Sequence, residues 1–215
     1  MPRYFVIYKP FGVLSQFSGE EESTLKGVWD FPADVYPVGR LDKDSEGLLL
    51  ITDDKPLNHY LLNPKFEHNR TYLAQVEGIP TPEAISELQS GVGIKVEGKT
   101  YFTKKASASL LDIAPTLPER DPPIRYRKNV PDSWVKLTLI EGKNRQVRKM
   151  TAAVGFPTLR LVRWSMENLT IEGFEVGEVR EFDQEELYRL LKIKPAMLAE
   201  RGPKFNKPHI RNKKK

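Results

Sequence analysis

The sequence has 215 residues, 39% of them hydrophobic, which is enough for a globular domain with a sizeable core. It contains no cysteine and three scattered histidines, which excludes disulfides, thiolate catalysis and cysteine zinc sites and argues against a metal cluster. No apolar run is long enough to span a bilayer, and residues 1–9 have the pattern of a strand rather than of a signal peptide. We therefore expect a cytoplasmic protein that does not bind membranes.

Charge is distributed unevenly along the chain. The net charge of +5 combines +8 in residues 120–163, +7 in residues 194–215 and −10 in the remainder. Cations concentrated on an otherwise acidic chain indicate a localised site for a polyanion. A solvated charged face is the competing interpretation, and for the C-terminal segment alone it stays open. For both segments together, the distribution favours nucleic acid.

Apolar periodicity and capping residues predict a mixture of strands and helices. We expect strands at residues 4–8, 48–51, 70–77, 135–140, 159–163 and 179–182, with short strands within 94–111. We expect helices at residues 56–62, 82–90 and 144–154, a last helix capped by Asp183, and one or two helical turns within 24–31. This order predicts the α+β class.

Two segments carry no such period. Residues 112–131 contain five prolines and predict a long irregular connection. Residues 194–215 are basic, and we expect them to be a disordered tail that follows a domain of residues 1–193.

The most distinctive stretch is residues 39–47, here called the Asp42 loop. Two glycines bracket an arginine and three carboxylates, and the chain then becomes a run of four aliphatic residues. Because glycine permits tight turns and the aliphatic run is the length of a buried strand, we expect Asp42 to be held rigidly. The loop is either a site for carboxylate chemistry or a solvated acidic turn.

A third interpretation of the Asp42 loop is a calcium site. Five residues match EF-hand positions 1, 3, 5, 6 and 12, namely Asp42, Asp44, Glu46, Gly47 and Asp53. The pattern also requires a helix before the loop, and the prolines and glycine within residues 31–40 disfavour one.

A second charged stretch, residues 141–149, is called the basic turn. A strand leads into Gly142, and a helix is expected from Asn144, whose free N–H groups would suit phosphate or carboxylate. Arg148 lies towards the apolar side of this helix and needs a carboxylate partner, for which Asp42 is a candidate. A solvated basic face is the alternative interpretation.

These stretches resemble the motifs of the pseudouridine synthases. Residues 39–49 resemble the central motif, residues 9–13 the opening motif, residues 70–72 the Lys/Arg-x-Tyr motif and residues 141–155 the third motif of the RsuA group. Residues 122–125, 131–134 and 151–161 are most similar to the E-type branch of that group, which acts on 23S rRNA. Like that branch, the chain has no room before residue 9 for the S4 RNA-binding domain of most members.

The resemblance implies the pseudouridine synthase catalytic fold, a mixed and mainly antiparallel sheet with flanking helices and a central active-site cleft. It implies that Asp42 is the catalytic carboxylate, that Tyr72 packs on the flipped uracil and accepts the C5 proton, and that Arg148 pairs with Asp42. The remaining candidates are substrate contacts: Lys9, Arg40, Arg145, Lys149, Leu161 and Arg163.

The implied reaction converts one uridine in domain V of 23S rRNA to pseudouridine, on free rRNA or on a pre-50S particle, by a monomeric enzyme without cofactor or metal. The carboxylate either attacks C1′ or removes the C2′ proton, and the sequence does not choose between these paths. The alternative is a non-catalytic rRNA-binding or ribosome-assembly protein, for which Asp42 would be dispensable.

Overall fold

The computed structural model describes residues 1–124 and 130–198. Residues 125–129 of the proline-rich connection and residues 199–215 of the predicted tail lie outside the described residues. The described strands are β1 Tyr4–Lys9, β2 Tyr36–Pro37, β3 Glu46–Thr52, β4 Arg70–Glu77, β5 Gly93–Val96, β6 Lys99–Phe102, β7 Ser107–Leu111, β8 Asp132–Leu139, β9 Thr158–Met166, β10 Leu169–Thr170 and β11 Val179–Phe182. The described helices are α1 Lys55–Leu62, α2 Pro82–Ser90, α3 Gln146–Ala153, α4 Gln184–Leu190 and α5 Pro195–Leu198.

One sheet of nine strands organises the domain, in the order β11-β1-β3-β9-β4-β8-β7, with β2 beside β3 and β10 beside β9. The β3–β9 pair is parallel, and the other pairs of this sheet are antiparallel. The predicted α+β class with a mixed, mainly antiparallel sheet is therefore confirmed. Strands β5 and β6 form a separate hairpin.

Strand β3, which follows the Asp42 loop, is buried at every position. Leu48 and Leu50 pack into a cluster with helices α1 and α4, whereas Leu49 and Ile51 pack into a second cluster on the opposite face. A strand covered on both faces reads as a continuous apolar run rather than as an alternation. Strand β3 therefore anchors the C-terminal end of the Asp42 loop between two core clusters.

Gly47 allows the start of β3 to approach β9 closely. Its φ is +101°, and a Cβ built there would lie 2.4 Å from the backbone oxygen of Arg163. A side chain at this position would meet backbone atoms in a conformation that L-residues rarely adopt.

Most predicted elements occur within a few residues of their expected bounds, because their caps and periods are local signals. Thr81 caps α2 by accepting from the Ala84 N–H at 3.3 Å, and Asp183 caps α4 by accepting from the Glu186 N–H at 2.8 Å. Within residues 24–31 the helical turn is a single 3-10 turn, Leu25–Gly27. No helix among the described residues is long and apolar enough to cross a bilayer.

The predicted start of a disordered tail at residue 194 is wrong for its first residues. Residues Pro195–Leu198 form α5, and Leu198 packs against the core cluster that contains Leu57 and Leu61 of α1. A proline at the first position favours a helix start, and Leu198 packs the turn against the core.

Candidate active site

A cavity of about 400 Å³ opens beside the Asp42 loop. Its walls come from the loop, the chain between α1 and β4, the basic turn and β9. Six of the nine predicted site residues line it: Arg40, Asp42, Tyr72, Arg145, Leu161 and Arg163. Lys9, Arg148 and Lys149 do not line it.

Hydrogen bonds from the segment after β1 hold the backbone of the Asp42 loop in place. The Ser15 hydroxyl donates to the Leu41 carbonyl at 2.9 Å and accepts from the Leu41 N–H at 3.0 Å, and the Gly12 N–H donates to the Lys43 carbonyl at 2.8 Å. The Asp42 side chain itself is 33% exposed. The carboxylate is therefore accessible to a ligand while its backbone is held. Sequence reasoning missed Ser15, which is 26 residues from its partner.

The predicted ion pair between Arg148 and Asp42 is wrong. Arg148 Nη2 donates to the Asp44 backbone carbonyl at 2.5 Å, and its Nε lies 3.5 Å from Asp44 Oδ2. Burial lowers the pKa of Arg148, an effect that the charge of Asp44 opposes. The helix begins at Gln146, so Arg148 reaches the neighbouring carboxylate of the loop instead of Asp42.

Arg145 is the arginine that lies near Asp42. Its two terminal nitrogens donate to the two carboxylate oxygens of Asp44 at 2.8 and 2.7 Å, and Nη1 is 3.8 Å from Asp42 Oδ2. The hydrogen bonds from Arg145 lower the pKa of Asp44, and the same contact raises the pKa of Arg145. Asp44, which the sequence indicated only as a calcium-ligand candidate, thus joins both arginines to the loop.

Tyr72 of β4 and Leu161 and Arg163 of β9 line the cavity on the side of the sheet. Tyr72 of β4 is the register partner of Arg163 on β9. Arg163 is buried, its Nε donates to the Leu48 carbonyl at 2.7 Å, and burial lowers its pKa. An aromatic ring and an aliphatic side chain beside the accessible carboxylate of Asp42 form a surface suited to a planar, partly apolar ligand.

Lys9 is wrong as a substrate contact, because its side chain has no exposed surface. Its ammonium group donates to the carbonyls of Pro10 at 2.8 Å and Val13 at 2.6 Å. Burial lowers the pKa of Lys9 to about 8, with the charge of Glu46 opposing. The lysine holds the turn after β1 and does not face the cavity.

The other two basic candidates lie at the edge of the site. Arg40 is exposed at the rim of the cavity. Lys149 is half-buried outside the cavity, and its Nζ lies 3.3 Å from Asn144 Oδ1. Only Arg40 is placed to meet a ligand that enters the cavity.

Glu46, the last carboxylate of the Asp42 loop, is 1% exposed and forms a bidentate ion pair with Arg160, with distances of 2.9 and 2.8 Å. It already begins β3, and β2 rather than a helix precedes the loop. The calcium-loop interpretation is therefore wrong, because Glu46 points into the core and a strand stands where an EF-hand requires a helix. Within the described residues, no group of acidic and histidine side chains is arranged to hold a metal ion.

The comparisons with known proteins agree with this geometry. The family model described as RNA pseudouridylate synthase matches residues 3–153. The chain belongs to this family. Ribosomal large subunit pseudouridine synthase E of Xanthomonas axonopodis pv. citri is 51% identical over 160 residues, which cover 74% of this chain and 82% of that protein. The protein of the same name from Xanthomonas campestris pv. campestris is 47% identical over 182 residues, which cover 81% and 95%.

A solved structure described as a pseudouridylate synthase superposes on this synthase with a TM-score of 0.71 at 30% identity, covering 88% of this chain and 74% of that one. The predicted enzyme class, an isomerase, the predicted fold and the resemblance to the E-type branch of the RsuA group are thereby confirmed. In this pseudouridine synthase, the matched segment ends at the C-terminal residue of α3 and includes both the Asp42 loop and the basic turn.

Proposed function

We propose that this synthase isomerises a uridine of large-subunit ribosomal RNA to pseudouridine, with Asp42 as the catalytic carboxylate. The observation that carries the proposal is the cavity, which places the accessible Asp42 carboxylate, the Tyr72 ring and Leu161 around one space. A pseudouridine synthase must accept a nucleotide that has left its stack, and flipping costs a few kcal/mol. A single cavity with a carboxylate beside an aromatic wall suits such a nucleotide.

The reaction breaks the C1′–N1 glycosidic bond, rotates the uracil within the cavity and forms a C1′–C5 bond, after which the C5 proton leaves to water and N1 takes up a proton. Asp42 either attacks C1′ and is displaced again when C5 attacks, or removes the C2′ proton and returns it as the C1′–C5 bond forms. Tyr72 packs against the uracil and accepts the C5 proton, and Leu161 covers the other side of the base. Arg145 Nη1 lies 3.8 Å from Asp42 Oδ2 and places a positive charge beside the reacting carboxylate.

The substrate proposal rests on the named relatives. The two Xanthomonas proteins are named for the ribosomal large subunit, and we propose a uridine in domain V of 23S rRNA, recognised on free rRNA or on a pre-50S particle. We propose that the enzyme acts as a monomer whose catalytic domain comprises residues 1–193, followed by α5 and a basic C-terminal segment. Arg40, at the exposed rim, would contact phosphate.

The test uses 23S rRNA transcribed with uridine tritiated at C5, because isomerisation must release that hydrogen into water. Wild type and Asp42→Asn are compared with Asp34→Asn, which removes an exposed carboxylate outside the cavity. We expect release to reach one equivalent per RNA for wild type and Asp34→Asn and to be absent for Asp42→Asn.

The second candidate function is a non-catalytic rRNA-binding or assembly protein, which the concentration of positive charge in residues 120–163 favours. In that case Asp42→Asn would bind rRNA and behave as wild type in every assay. Absence of release by wild type from both free 23S rRNA and ribosomal precursors would refute the catalytic proposal and leave this one.

A further inference from the structure

The β5–β6 hairpin carries a surface that the cavity does not explain, and we infer that its outer face binds the rRNA strand flanking the target uridine. In this inference, Phe102 stacks on an unpaired base, Lys95 on the same face contacts one phosphate, and Lys99 beside the hairpin turn contacts another. The inference rests on the proposed function for its substrate, and it concerns residues outside the cavity.

The hairpin is attached to the rim of the cavity through Glu141. The Tyr101 hydroxyl donates to Glu141 Oε2 at 2.5 Å, and the Lys104 N–H donates to Glu141 Oε1 at 2.9 Å. Burial alone would raise the pKa of Glu141, but hydrogen bonds, led by that from Tyr101, lower it, so the acceptor is ionised. Glu141 lines the cavity, so a strand of RNA entering the cavity passes close to the hairpin.

The inner face of the hairpin also packs on the domain. Ile94 is buried in the cluster that contains Val147 and Met150 of α3, and Tyr101 packs against the same cluster. Lys143, which lines the cavity, places its ammonium group 4.7 Å from the centre of the Tyr101 ring. The hairpin is therefore a fixed extension of the rim, which favours a binding role because little ordering is required on contact.

The outer face combines an exposed aromatic ring with Lys95, and Lys99, the register partner of Val96, is exposed beside the hairpin turn on the other face. Strand register places Phe102 opposite Gly93 and Lys95 opposite Thr100 on this face. Phe102 is 75% exposed. Lys95 Nζ donates to the Thr100 hydroxyl at 2.9 Å. Within the described part of the chain, neither Lys95 nor Lys99 has a carboxylate within 4.0 Å.

This combination fits RNA better than a protein partner. Residues 93–105 contain four lysines and one glutamate, and the ring has no exposed apolar neighbour on its strand. A single exposed ring with one lysine on its face gives little apolar area to a protein, whereas single-stranded RNA offers a base to stack and phosphates to neutralise. Charge complementarity and continuity with the cavity rim therefore select rRNA.

A local structural role for Phe102 must be separated from RNA binding. Its ring lies over Gly93, with Cε1 3.4 Å from the position of a Cβ on that glycine. Any large apolar side chain could shield the glycine in this way, but only a planar ring can stack on a base. Phe102→Leu keeps the cover and removes the stacking, and Phe102→Tyr keeps both.

The experiment measures KM and kcat by tritium release from 23S rRNA, the Kd for the same RNA at several salt concentrations, and Tm. We expect Phe102→Leu to raise KM and Kd about tenfold with kcat and Tm unchanged, and Phe102→Tyr to match wild type. We expect the double variant Lys95→Gln/Lys99→Gln to reduce the slope of log Kd against log salt by about 1.4. The matched control is Lys104→Gln, because Lys104 already pairs with Glu67 at 2.6 Å, and its slope should stay at the wild-type value.

Unchanged KM, Kd and salt slope in Phe102→Leu and in the double lysine variant would overturn the inference, whatever the wild-type activity. A Kd that depends on the hairpin, together with a wild type that releases no tritium from either free 23S rRNA or ribosomal precursors, would uphold the inference and refute the proposed reaction. Equal losses of Tm in Phe102→Leu and Phe102→Tyr, with the lysine variant unchanged, would assign the ring to the fold alone.

Discussion

Replacing Glu46 by glutamine should destabilise this synthase strongly. Glu46 is 1% exposed, the Arg160 side chain is 8% exposed, and two hydrogen bonds of 2.9 and 2.8 Å join them. Glutamine is nearly isosteric but neutral, so the Arg160 guanidinium would stay buried without a counter-charge. Breaking a buried pair in this way costs about 3–5 kcal/mol, and for a domain of this size each kcal/mol lowers Tm by roughly 2–4 °C. We therefore expect Tm to fall by roughly 6–20 °C.

A matched control isolates the effect of burial. Arg3 and Glu181 form a pair of the same chemistry, with distances of 2.9 and 3.0 Å, but their side chains are 45% and 50% exposed. Because water screens an exposed pair, Glu181→Gln should change Tm far less than Glu46→Gln. Differential scanning calorimetry of both variants gives the comparison. Equal shifts in the two variants would refute the reasoning, since burial would then not determine the cost.

Three further predictions concern the residues around the Asp42 loop. Asp44→Asn should leave Tm nearly unchanged and lower kcat about tenfold to a hundredfold, because Arg145 loses the charge that positions it; tritium release measures this, and an unaltered kcat would contradict it. Gly47→Ala should cost at least about 2 kcal/mol, because a Cβ at φ +101° would meet backbone, whereas Gly142→Ala, with nothing within 4 Å of its Cβ, should be tolerated in urea unfolding. For Lys9, the pKa of about 8 lies below the ordinary 10.5, so the unfolded chain binds more protons between these values and the free energy of unfolding should rise with pH across that interval; the rise should be absent in Lys9→Met.

The fold could be predicted largely from local signals. Strand β4, Arg70–Glu77, has its predicted bounds because its alternating pattern reports one buried face. The continuous run of β3 indicated burial on both faces, and Thr81 and Gly91 bounded α2 as expected. Helix α5 was missed because its four residues are too few to show a repeating apolar pattern.

The site could be predicted only in part, because its contacts join segments that are remote in sequence. The motifs led to Asp42, Tyr72 and Leu161, and all three line one cavity. The predicted partner of Arg148 was wrong because α3 begins two residues later than expected. Arg145 adopts a left-handed conformation, with φ of 53°, and the helix starts only after it. No local pattern reports such a turn at a non-glycine residue.

Two carboxylates of the Asp42 loop form bidentate pairs with arginines, and the different exposure of these pairs gives them different roles. Arg145 binds Asp44 at the mouth of the cavity, where both side chains are more than one third exposed and the pair adds little stability. Arg160 binds Glu46 two residues later, where the pair is buried and its disruption threatens the fold. Variants of the two carboxylates should therefore have different effects. Loss of the Asp44 charge should lower kcat at unchanged Tm, and loss of the Glu46 charge should lower Tm. The loop is held to the core by the buried pair, and the exposed pair sets which cation stands beside Asp42.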